Sequence, residues 1–141
     1  MEQQNFRTKN RFWILLNYLS LIAVLVFFYT GKYLQWPMLV IILEIGSLAV
    51  LLISFYSAFI KTKFWKFVHT PSKNLDERET QVVLNGLKYS YSIFAIVCLI
   101  VIYTFAIIDY HPIDVLLAGA LLLLAHTLPA AIVGWNVRER L

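Results

Sequence analysis

Charged residues are scarce in this chain, and that scarcity excludes an ordinary soluble fold. Only 14% of the 141 residues are charged, while 60% are apolar and 16% aromatic; soluble domains carry roughly 25% charge. A domain of this size has no interior large enough to hide so much apolar surface from water. A bilayer, by contrast, accepts apolar side chains around the whole circumference of a helix. Cysteine is nearly absent as well. Cys98 is the single one and lies in an apolar run, so one chain builds neither a disulfide nor a thiolate metal site, and the residue reads as packing rather than as a reactive thiol. Also missing are a nucleotide-binding glycine loop, a serine-nucleophile elbow and an H-E-x-x-H zinc helix. No enzyme activity, cofactor or metal is expected, and the net charge of +4 is sorted by membrane side rather than gathered into a nucleic-acid footprint.

What is present is a series of long apolar runs. The spacing predicts an all-α integral membrane four-helix bundle in a single domain over 1–141, built as two antiparallel hairpins. Its helices are expected at about 12–30, 37–60, 75–108 and 113–134, with a cytoplasmic loop at about 61–74. The first run ends in Phe27-Phe28-Tyr29 and has bilayer length, which favours a permanent span over a signal peptide. Gly31 and Lys32 punctuate a turn, and Trp36-Pro37 opens the second helix. Asn74 reads as an N-cap with Glu77 at the third helical position. No proline or strong breaker follows until Pro112, so the third helix reaches about 50 Å against a hydrocarbon core of about 30 Å. Its first turns are expected to project into the cytoplasm as a stalk. Pro129 is expected to kink the last helix or end its regular part.

Lysine and arginine fix an orientation. The N-terminus, the central region through Lys88 and the C-terminus hold 3, 6 and 2 of the 12, leaving only Lys32 on the other side. The positive-inside rule then puts both termini in the cytoplasm of a multi-pass protein; its size, with the resemblance described below, implies a bacterial cytoplasmic membrane. Within the central region Lys61, Lys63 and Lys66 alternate with Trp65 and its aromatic neighbours. The segment is either a snorkelling helix end or one lying at an anionic lipid surface.

Inside the apolar runs a few polar residues stand out: Glu44, Asn17, Tyr103, Thr104 and His126. Glu44 matters most, because insertion of an acid near a helix centre costs about 2.5–3.5 kcal/mol. One reading makes it a proton- or cation-coupled carboxylate, as in small four-helix exporters. The other makes it a protonated carboxyl donating to Tyr103, Thr104 or a backbone carbonyl. His126 is expected as a hydrogen-bonded packing residue near the carbonyl that Pro129 leaves without its N–H; a proton relay is the alternative. Asp109, His111 and Asp114 form a hydrated outer loop, with a divalent-cation site as the sharper alternative. Gly46, Ser47, Ser54, Ala118, Gly119 and Ala125 mark expected helix contacts.

The most specific string is Asp76-Glu77-Arg78-Glu79, at the head of the protruding helix and followed by Val83, Gly86 and Tyr89. It resembles the D-E-R-[EQ] string that several uncharacterised families of small bacterial four-helix membrane proteins carry just before a transmembrane helix. The resemblance covers about Leu75 to Tyr91 and implies the hairpin fold, with no activity to transfer. Capping accounts for the acids, but Arg78 at the positive end of a helix is unfavourable. Asp76, Glu77, Arg78 and Glu79 are therefore expected to contact a neighbouring copy or a membrane or cytoplasmic protein partner. The leading functional expectation is an interaction or assembly module acting through loop and stalk; the alternative is a small transporter or channel component using Glu44.

Overall fold

The computed structural model describes residues 2–108 and 113–136. The elements are all helical: α1 Glu2–Tyr33, α2 Met38–Phe55 with a π-helical continuation Tyr56–Ile60, α3 Phe64–Val68, a 3₁₀ turn Ser72–Asn74, α4 Glu77–Ile108 and α5 Val115–Asn136. Four spans are long and apolar enough to cross a membrane: Thr8–Tyr33, Met38–Ile60, Glu77–Ile107 and Val115–Asn136. Large apolar side chains such as Leu19, Ile22, Ile53, Ile100 and Leu122 lie exposed along them. That surface suits hydrocarbon and not water, so the chain reads as a multi-pass membrane protein.

The contacts form two compact units. The first contains α1 and α2. Asn17 of α1, almost fully buried, donates from Nδ2 to the Leu51 carbonyl at 3.2 Å and to Ser54 Oγ at 3.1 Å on α2. Ser54 in turn donates to the Leu51 carbonyl at 3.0 Å. Where lipid supplies no hydrophobic drive between helices, this is the kind of polar bond that ties them together.

α1 is longer than expected at both ends. Gly31 does not break it; the helix runs through Gly31 to Tyr33 and closes with the Trp36 N–H on the Gly31 carbonyl at 2.8 Å. This is a Schellman closure, with Gln35 in the left-handed position at φ 58°. Trp36 folds back over the last turn and meets Phe28 edge-on, with ring centroids 5.4 Å apart. A Cβ on Gly31 would come within 2.6 Å of the Trp36 ring, so the glycine makes room for an aromatic lid rather than for a turn. Because α1 begins at Glu2, ahead of its apolar run, a long helix is not unique to α4.

The second unit spans Lys63–Asn136. Here α4 and α5 approach closely at Gly86, where an added Cβ would lie 2.9 Å from Val133 Cγ2 and 3.6 Å from the Pro129 carbonyl oxygen. Buried Ser90 donates to the Gly86 carbonyl at 2.6 Å. Thus Gly86, unlike Gly46 or Gly119, packs closely against a neighbouring helix. Gly46, Ala118 and Gly119 are exposed, and nothing lies within 4 Å of a Cβ placed on Gly46 or Gly119. Pro129 does not end α5, which continues to Asn136. Two residues before the proline, the Thr127 hydroxyl donates to the Leu123 carbonyl at 2.9 Å.

The expected loop at 61–74 is partly helical. Lys63 turns the chain in a left-handed conformation at φ 64°, and α3 follows as one helical turn that packs on α5 and buries Phe64 and Val68. The packing at Gly86 yields a direct test. Gly86→Ala should lower stability in detergent micelles by about 1–3 kcal/mol through overpacking. Adding Val133→Ala to the same chain should recover most of it, as read from unfolding followed by circular dichroism.

Candidate functional site

At the head of α4 the backbone carbonyl of Asp76 accepts the Thr80 N–H at 2.9 Å, which makes Asp76 the N-cap. The Asp76 carboxylate accepts the Glu79 N–H at 2.6 Å, and the Asp76 N–H donates to Glu79 Oε2 at 3.2 Å. This is a complete capping box, placed two residues later than the Asn74 and Glu77 pair expected from the sequence. The reason is register. Asn74 belongs to the 3₁₀ turn Ser72–Asn74 and α4 begins at Glu77, which leaves Asp76 at the N-cap position.

Two members of the Asp76-Glu77-Arg78-Glu79 string are therefore occupied in closing the helix. The other two, Glu77 and Arg78, are exposed and adjacent. α4 is also the span that the chain covers least: 6% of its most apolar window is buried, against 28, 22 and 33% for the other three.

The membrane-depth residues separate in the same manner. Most hydroxyls are satisfied by their own helix: Ser47 on the Glu44 carbonyl at 2.8 Å, Thr104 on the Ile100 carbonyl at 2.7 Å, Ser92 on the Lys88 carbonyl at 3.2 Å. Tyr103 and Thr104 are exposed. Glu44 differs. Its Oε2 is buried and has no hydrogen-bond partner among the described residues. His126 is exposed, not packed. Its Nδ1 lies 2.9 Å from the Leu122 carbonyl, an acceptor only, so Nδ1 donates to it. The carbonyl that Pro129 leaves free is Ala125's, which His126 does not reach, because helical side chains lean toward the N-terminus and meet residue i−4.

On the polar segment, Lys61, Lys63 and Lys66 are exposed and Trp65 is half-buried. Trp65 stacks on His69 at 4.4 Å and 29°, a contact the sequence reading missed although the i, i+4 spacing allows it. Asp114 accepts the Leu117 N–H at 3.0 Å as the cap of α5, which starts at Val115 rather than 113. Asp109, Tyr110, His111 and Pro112 of the outer turn, and Arg138 and Arg140, lie outside the described residues. Among the described residues no three His, Cys, Asp or Glu side chains gather as a metal-ligand set.

No protein-family model, curated protein or solved structure matches this chain. The capping box carries its own test. Asp76→Ala should cost about 0.5–2 kcal/mol and raise amide exchange over residues 77–80, while Asp76→Ser should keep most of the protection. Equal exchange in Asp76→Ala and the parent would show that the box does not hold the helix start.

Proposed function

We propose that this protein is a membrane assembly module whose cytoplasmic stalk, the head of α4, joins copies of the chain. One observation carries the reading: after the capping box has taken Asp76 and Glu79, an exposed acid and an exposed base, Glu77 and Arg78, remain side by side. Across a two-fold axis such a pair is its own complement, Arg78 of one copy meeting Glu77 of the other. It also removes the difficulty of a cation at the positive end of a helix, because the partner's carboxylate balances it. The low coverage of α4 within the chain and the antiparallel hairpins with both termini in the cytoplasm belong to the same picture.

Exposed pairs are individually weak, worth about 0.2–1 kcal/mol, so charge exchange is a better probe than deletion. Glu77→Arg alone and Arg78→Glu alone should each weaken self-association in vesicles by about 3–10-fold, read by energy transfer between labelled copies. The double exchange, Glu77→Arg with Arg78→Glu, should restore it. Indifference of association to all three variants would refute the stalk contact.

A second reading rests on Glu44, whose buried Oε2 has no hydrogen-bond partner among the described residues. Such an oxygen suits a transported proton or cation in a small transporter or channel component. If so, Glu44→Gln abolishes proton or cation flux in proteoliposomes and also abolishes labelling by a membrane-soluble carbodiimide, which attacks protonated carboxyls. A parent protein that assembles but passes no ion removes this reading.

A further inference from the structure

The segment after the second span is a built surface, not a trailing helix end. Lys63 stops the preceding helix with a left-handed turn, and α3 restarts the chain for a single turn. Phe64 and Val68, at i and i+4, are buried, and the turn packs on α5. With 100° between successive helical residues, Lys66 points nearly opposite Phe64, and Lys63 leaves the turn on an exposed side. The turn also closes its own C-terminus. His69 Nδ1 lies 2.8 Å from the Trp65 carbonyl and so donates to it, and Thr70 Oγ1 donates to the Lys66 carbonyl at 2.8 Å. The ammonium groups then carry the outward charge of the turn. Along the sequence no acid occurs between Glu44 and Asp76, whereas Lys61, Lys63, Lys66 and Lys73 all fall in that stretch.

We propose that the exposed face of α3, through Lys63 and Lys66, binds the phosphate headgroup of an anionic phospholipid. The proposal needs only that Met38–Ile60 crosses the membrane and is independent of the stalk contact. Its occupant follows from three observations. The lysines stand directly after a span of bilayer length, at headgroup depth. Half-buried Trp65, stacked on His69 beside them, has the amphipathic ring that favours that depth. The charge is of one sign only, as attraction to an anionic leaflet requires. Pinning by Phe64 and Val68 turns what would be two mobile lysines into a fixed pair, which lowers the ordering cost of holding a headgroup.

The test uses purified full-length protein in detergent micelles carrying phosphatidylglycerol or phosphatidylcholine, with retained lipid counted by native mass spectrometry. The parent should retain phosphatidylglycerol in preference to phosphatidylcholine. Lys63→Gln/Lys66→Gln should weaken that retention by about 30-fold, the equivalent of about 1 kcal/mol per lysine. Lys9→Gln/Lys88→Gln, which removes the same charge elsewhere, should change it by less than about 3-fold. Both sites are exposed, so neither pair of changes threatens the fold. Equal retention of the two lipids overturns the proposal, and so does equal loss in the two double variants, which would mean diffuse charge rather than a site. Complete displacement of phosphatidylglycerol by excess inorganic phosphate also overturns it, by assigning the surface to a free anion.

Discussion

Hydrocarbon offers a peptide group no hydrogen-bond partner, so each backbone N–H and carbonyl at membrane depth must be satisfied within the chain. Helices meet that demand along their length, and the interruptions are where it becomes specific. α1 ends in a Schellman closure at Gly31, α4 begins in the capping box of Asp76 and Glu79, and α5 begins on Asp114. At these three ends a side chain or a backbone group closes the helical ladder. The hydroxyls of Ser47, Ser90, Ser92, Thr104 and Thr127 return to their own helices in the same way. Asn17 instead crosses between helices, and it ties α1 to α2.

This accounting separates polar groups that hold the fold from those left over. The Asp76-Glu77-Arg78-Glu79 string divides in the middle: its outer acids close a helix and its inner pair does not. Glu44 retains a buried oxygen without a partner, while its neighbour Ser47 bonds to Glu44's own carbonyl and does nothing for the carboxyl. The lysines around α3 remain exposed because their turn is anchored by Phe64 and Val68 and closed by His69 and Thr70. The functional readings proposed here concern these remaining groups, and they differ in chemistry: a self-complementary ion pair, a lone carboxyl, and a cationic surface.

Four spans follow from the sequence alone, because length and hydropathy are summed along the chain and need no neighbour. The head of α4 was legible to within two residues, since a capping box is a local pattern of four positions. Its register was not, because a 3₁₀ turn claimed Asn74. The same limit applies to Gly31, where sequence suggests a turn and only the folded-back Trp36 reveals a space requirement. Which glycine packs is likewise a property of two helices at once. Gly46 and Gly86 look alike in sequence, yet only Gly86 faces a neighbour, Val133. His126 shows the point at one residue: its place in an apolar run predicts burial, but which side of a helix is covered depends on what packs there. Sequence by itself determined the number of long apolar spans and the solvent they suit, both set by composition along the chain. Tertiary structure decided contacts, faces and the pinning of α3, because those depend on residues far apart in the chain meeting in space.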